Sequence, residues 1–147
     1  MNPEDLKQFA LLVELSDEER EFLAELLEER KLPDGKSAFR EGSEGEGLVL
    51  LEQGCLKLKS RRTGTEVGIL EAPAHLGAAS LFRLGNREVT AVADGPSKIW
   101  TLPRSGLSRL LDDSPRAAFR LAEAVASELV ALMRSGLDTL VEAEDLD

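Results

Sequence analysis

The stretch Leu76–Ala93, LGAASLFRLGNREVTAVA, sets an arginine ten residues beyond a glycine-led turn. A glycine lets backbone N–H groups converge at the start of a short helix, and an arginine beside them adds a planar, charged fork of donors. That pairing suits the cradling of a phosphate or a similar anion. Gly77 and Arg87 are therefore the candidate binding pair, and the β-branched, alanine-rich run opened by Arg87 is expected to be a buried strand. Other chemistries find little support. His75 is the single histidine, so a multi-histidine metal centre cannot be assembled, and no metal ligand is assigned. Cys55 lies in a strand-like pattern and reads as a small core or edge residue. No Ser-His-Asp set emerges from spacing, and Gly42-Ser-Glu-Gly-Glu-Gly47 lacks the Gly-Lys-Ser/Thr ending of a P-loop. No catalytic residue is assigned, and the chain is expected not to be an enzyme.

Composition narrows the partners. At 147 residues the chain has the size of one domain, residues 1–147, and 42% hydrophobic residues suffice for a core. A net charge of −10 opposes broad binding to nucleic acid or to an anionic membrane, because both require a positive surface. Lys57, Lys59, Arg61 and Arg62 form a local basic cluster that reads as a charged hairpin. A lone cysteine leaves no internal disulfide, and the acidic N-terminus lacks the layout of a signal peptide. No apolar run approaches the roughly 20 residues of a membrane span. A cytoplasmic domain is expected.

The elements that must position Gly77 and Arg87 follow from periodicity. Residues 3–30 are expected to be helical in two pieces, with Leu6, Phe9, Ala10 and Val13 in the first. Ser16-Asp-Glu-Glu19 is a capping-box signal for the second, whose stripe is Phe22, Leu23, Leu26 and Leu27. Its many carboxylates form either a solvated face or an acidic docking face. Residues 31–103 switch to short strands near 36–40, 48–51, 55–59, 66–70 and 98–102, separated by glycine turns. That spacing suggests a β-sandwich or jelly roll. After Pro103, a short helix over 105–112 and a long one from Pro115 to about Val141 are expected, the latter with Pro at its first position. Its seam Ala122, Val125, Leu129, Leu132, Gly136 and Leu140 alternates spacings of three and four, widened by Leu121, Met133 and Leu137. Such a helix covers the barrel, pairs with a partner helix, or does both. The tail Glu142–Asp147 is expected to fray.

The order of these features resembles a cyclic-nucleotide-binding domain, the family of the catabolite activator protein and the regulatory subunits of cyclic-AMP-dependent protein kinase. Gly35, the Arg40-Glu-Gly42 step, Gly54, Leu76-Gly77 and Arg87 followed by Val89-Thr-Ala-Val-Ala93 carry the likeness, which spans about residues 12–140. The resemblance implies an α+β fold: a β-roll or jelly roll with N-terminal helices, a short phosphate-binding segment over 77–87 and a long C-terminal helix. It implies a phosphate facing Gly77 and the amides of Ala78, Ala79 and Ser80, with Arg87 as counter-ion and Glu88 and Val89 beside it. It also places Leu132 and Met133 against the base of cyclic AMP or cyclic GMP, with no other cofactor.

Three departures bear on that ligand. Where the family carries a glutamate for the ribose 2′-hydroxyl, this chain has Ala78, and an unmade hydrogen bond of that kind costs about 1–3 kcal/mol. Glu88 follows the arginine where the family has a small or hydroxylic residue, and it either repels the phosphate, ties up Arg87 or points away. Leu132 and Met133 pack on a purine without hydrogen-bonding it. Arg87 is thus either a phosphate ligand or a structural arginine closing the pocket. The leading expectation is a regulatory module that binds a cyclic nucleotide or related phosphate weakly and signals through the long helix. That helix would dimerise through Val125, Leu129, Leu132, Gly136 and Leu140. The alternatives are a degenerate pocket on a protein-interaction adaptor, or the effector-binding part of a transcription regulator lacking its DNA-binding domain. In either case no nucleic acid is expected to bind this chain alone.

Overall fold

The computed structural model describes residues 1–83 and 85–145. Leu84, inside the glycine-to-arginine stretch, and Leu146 and Asp147, at the end of the expected tail, lie outside the described residues. The N-terminus begins with short 3-10 helices at Pro3–Gln8 and Ala10–Leu12, followed by helix α1, Asp17–Leu26. Ser16 caps α1, accepting from the Glu19 amide while Glu19 reaches back to the Ser16 amide. The expected helix over residues 3–30 is corrected at its end. Leu27 turns extended, and Glu28–Leu32 forms strand β1. Four charged, exposed side chains along β1 give no apolar alternation, so only its backbone pairing reveals it as a strand.

Seven more strands follow: β2 Ser37–Phe39, β3 Gly47–Gln53, β4 Cys55–Ser60, β5 Thr65–Glu71, β6 Ala74–Leu76, β7 Thr90–Ala93 and β8 Ser97–Pro103. They form two four-stranded antiparallel sheets, ordered β1-β8-β3-β6 and β2-β7-β4-β5, in a jelly-roll arrangement. Strand β6, three residues long, is an addition to the expected set. Strand β7 begins at Thr90, so the strand expected to open at Arg87 is corrected to start three residues later.

The all-apolar run Leu48–Leu51 on β3 is explained by burial on both faces. Leu48 and Leu50 face the helices, with Trp100 and Leu102 of β8 beside them. Val49 and Leu51 face inward between the sheets, against Leu32, Leu56, Ala91, Ala93 and Ile99. Side chains that alternate about a strand deliver one set to each core, so no polar position is tolerated.

Helix α2, Arg104–Asp113, and helix α3, Pro115–Asp145, meet at Ser114. Ala117, Ala118, Leu121 and Val125 are buried in the helical core. Val125 is therefore corrected from a partner-facing seam residue to a core residue of its own chain. Leu129, Leu132, Met133, Leu137 and Leu140 are all at least half exposed, and Gly136 is exposed as well. From residue 129 onward α3 is exposed throughout, a projecting arm of about 25 Å at 1.5 Å per residue.

The root of α3 is tied to α1 by charge. Glu19, 5% exposed, receives Arg120 Nε on Oε1 at 3.1 Å, while its buried Oε2 has no partner among the described residues. An Arg120→Ala variant is expected to lose about 1–3 kcal/mol, because a buried carboxylate is left without its cation. Thermal melting checks this, and adding Glu19→Gln in the same chain should restore part of the loss.

Candidate functional site

Arg87 is set in place by backbone pairing with the glycine-rich loop before β3. Its amide donates to the Ser43 carbonyl at 2.7 Å, its carbonyl accepts from the Gly42 amide at 2.8 Å, and the Gly45 amide donates to Gly85 at 2.9 Å. The loop Gly42–Gly47, which lacks the ending of a P-loop, thus fixes the arginine through its backbone. The side chain is only 9% exposed. Nη2 donates to the Gly47 carbonyl at 2.9 Å, and the guanidinium carbon sits 4.3 Å over the centre of the Phe39 ring. Nε is buried with no partner among the described residues. Burial lowers the Arg87 guanidinium from its ordinary value, and Glu46 works in the opposite direction. The guanidinium remains charged at neutral pH. Of the alternatives left open for Glu88, tying up Arg87 is not what holds the side chain, which closes onto Gly47 and Phe39.

Gly77 has φ of 72°, left-handed, and a Cβ there would collide with Arg87 Nη1. Both the conformation and the close approach of the guanidinium demand glycine. A Gly77→Ala variant is expected to be destabilised by about 1–3 kcal/mol from backbone strain alone, with further displacement of Arg87. Urea denaturation checks the first effect, and ligand titration checks the second.

Beyond Gly77, Ala78–Leu81 forms one 3-10 turn. The first amides of such a turn have no acceptor inside it, which leaves those of Ala78 and Ala79 available. The Ser80 amide is spent on the Gly77 carbonyl at 3.0 Å, so its expected role as a third phosphate donor is corrected. The Ser80 hydroxyl is also turned inward, donating to the carbonyls of Gly47 and Gly77.

Gly77, Ala78, Ala79, Ser80, Arg87, Glu88 and Val89 all border one cavity of about 560 Å³. Helix α3 supplies another wall through Val125, Glu128, Leu129 and Leu132. This volume lies in the range of small-molecule sites, and apolar side chains with few polar groups are the usual lining. Met133 does not border the cavity and is exposed, so the expected pair Leu132 and Met133 reduces to Leu132. Sequence reasoning missed Glu128, whose Oε2 lies 2.6 Å from Nε2 of His75 on β6. Its position, three residues after Val125 and four before Leu132, was the available signal, since helix positions at those spacings share a face.

Phe39 and Arg87 also border a second cavity of about 440 Å³, with Glu28, Glu29, Glu44 and Glu46 against Arg30. Four carboxylates repel an anion, so the cavity bounded by Gly77 and Ala78 is the one suited to phosphate. Burial pushes the Cys55 thiol up, and the carboxylates of Asp94 and Glu71 push it the same way, making it a poor nucleophile. Among the described residues no group of three or more His, Cys, Asp or Glu side chains is placed to hold a metal ion, and no helix is long and apolar enough to cross a membrane.

The family model described as "Cyclic nucleotide-binding domain" matches residues 29–114, more than half of the chain. The chain belongs to the cyclic nucleotide-binding domain family. Within that family it is 34% identical, over 106 residues, to the cAMP-dependent protein kinase regulatory subunit of Eremothecium gossypii, covering 72% of this chain and 23% of that protein. The chain spans about a quarter of the length of the kinase regulatory subunits it matches. Among solved structures, the N-terminal domain of a transcriptional regulator from Streptomyces coelicolor A3(2) superposes with a TM-score of 0.79 at 28% identity, covering 92% of this chain and 94% of that one. The Thermus thermophilus catabolite activator protein superposes with a TM-score of 0.75 at 26% identity, covering 88% and 62%. The family's jelly roll with helices at both ends and a long C-terminal helix is the fold described above.

Proposed function

We propose that this chain is a non-catalytic regulatory module of the cytoplasm that binds a cyclic nucleotide, or a related phosphate ligand, in the Gly77–Arg87 cavity. Helix α3 carries the signal. The observation behind this reading is the Arg87 guanidinium, nine-tenths buried at the cavity wall with Nε unpartnered among the described residues. A buried donor without an acceptor is costly unless a ligand supplies one, and a phosphate oxygen is the matching acceptor. The Ala78 and Ala79 amides add neutral donors. Ala78 offers the ribose no acceptor, which keeps affinity modest.

Ligand would act on α3 because Val125, Glu128, Leu129 and Leu132 form a cavity wall just where the helix leaves the body. A ligand that contacts the helix in only one of its positions shifts the population toward that position. The exposed row Leu129, Leu132, Gly136 and Leu140 then offers the homodimer seam. Calorimetric titration with cyclic AMP, cyclic GMP and cyclic di-GMP tests the ligand. Light scattering at tens of micromolar tests the dimer, and a monomer there would count against the seam.

A second reading draws on the Nη2 bond to Gly47 and the Phe39 stack, which hold Arg87 without any ligand. There the cavity is unused and the α3 arm docks a protein partner. Absence of heat with every nucleotide favours it.

A further inference from the structure

The cavity bounded by Gly77 and Ala78 carries more donors than one phosphate uses. Its inner set is the buried Arg87 guanidinium with the amides of Ala78 and Ala79. A cyclic phosphate diester has a single negative charge and two oxygens outside its ring, so this inner set already matches it. Two further donor side chains border the same cavity, Arg83 and Asn86, and both are exposed, which puts them at its mouth. Arg83 enters none of the ion pairs formed among the described residues. A chain of net charge −10 repels polyanions in general, so two guanidiniums gathered at one opening are a local exception. Acceptors are scarcer. Glu128 on α3 is taken by His75 at 2.6 Å, and Glu88 is exposed beside Arg87. Ala78 is buried and offers a sugar hydroxyl no side-chain acceptor, so the cavity reads its ligand by anionic groups.

We propose that this cavity takes a nucleotide bearing two separate phosphate groups, one on Arg87 and the Ala78 and Ala79 amides, the other at the mouth on Arg83 and Asn86. The inference deepens the function proposed above and rests on it. A nucleoside 3′,5′-bisphosphate and a cyclic dinucleotide share this chemistry. Arg83 gives the second phosphate a planar, charged fork, and Asn86 adds a neutral amide donor. That phosphate stands in water, so its contact is weaker and more sensitive to salt than the one made by buried Arg87. Glu88 lies on the same side and opposes it, which limits the gain.

The test is calorimetric titration of the full chain with two matched pairs, at low and at high salt. Adenosine 5′-monophosphate is set against adenosine 3′,5′-bisphosphate, and cyclic GMP against cyclic di-GMP. Within at least one pair the second phosphate is expected to raise affinity about tenfold at low salt, the worth of roughly one charge-assisted hydrogen bond. A gain in the first pair alone assigns a nucleoside bisphosphate, and a gain in the second alone a cyclic dinucleotide. Arg83→Ala should bring that ratio toward one, Arg83→Lys should keep most of it, Glu88→Gln should raise it, and high salt should shrink it. Arg83 and Glu88 are exposed, so melting curves of their variants should match the parent. No gain in either pair, or a gain that survives Arg83→Ala, overturns the inference. Equal losses of the one-phosphate and two-phosphate ligands in Arg83→Ala also overturn it, since they mark general attraction. If the one-phosphate ligands still bind in a manner that requires Arg87, the proposed function stands. Failure of the parent to bind all four overturns both.

Discussion

An Arg87→Ala variant is expected to lose about two orders of magnitude in affinity for a cyclic nucleotide, the upper end for a charge-assisted hydrogen bond removed from a dry site. The expectation follows from placement. The guanidinium is 9% exposed and braced by Gly47 and Phe39 at the cavity wall, with Nε buried and without a partner among the described residues. A phosphate entering the cavity meets a charged, planar fork whose orientation is already held by Gly47 and Phe39. Arg87→Lys separates charge from shape: the cation remains but the planar fork is lost, so an intermediate loss of about tenfold is expected. The alanine variant also strands the Gly47 carbonyl, so melting must be followed alongside binding. A variant that melts lower yet binds as tightly as the parent would leave Arg87 a purely structural residue.

Leu121→Ala is expected to be the most damaging single truncation of α3. Leu121 is fully buried in the helical core, in the cluster that joins Leu12, Leu15, Leu110 and Val125 to the β3–β8 face. Removing its branched end costs about 2–5 kcal/mol, which in a chain of this size lowers the melting midpoint by about 5–15 °C. The control lies four turns further along. Leu137 is 55% exposed on the projecting arm, and its alanine variant should change monomer stability by no more than about 0.5 kcal/mol. If the arm pairs with a second copy, the same variant should weaken the dimer. Equal melting losses for the two variants would contradict the division of α3 into a buried root and a free arm.

Much of this architecture was legible because its signals are local. The capping box at Ser16 and Glu19, the turn at Gly54 and the Ser114-Pro115 junction each announce themselves in a few residues, and each is present. Gly77 was legible for a similar reason, since few other residues tolerate its left-handed backbone beside a guanidinium. The misses are of another kind. Strand β1 is a run of charges whose strand character lies in its pairing with β8, a partner some 70 residues away. The inward turn of Ser80 depends on Gly47, and the seam residue Val125 was claimed by the chain's own core, facts of packing that periodicity does not contain. His75 and Glu128, 53 positions apart, meet only because β6 lies at a sheet edge beneath α3.

The central claim is that the Arg87 guanidinium, with its Nε–H unpartnered among the described residues, awaits an anionic ligand. Heteronuclear NMR of the arginine side-chain Nε–H signals, with the Arg87 peak assigned by its disappearance in Arg87→Lys, measures this directly. On titration with cyclic GMP the Arg87 signal should move progressively and saturably, as a new hydrogen bond to phosphate forms, while the signals of exposed arginines stay in place. An Arg87 signal that does not move at any nucleotide concentration, in a chain that remains folded, would contradict the account.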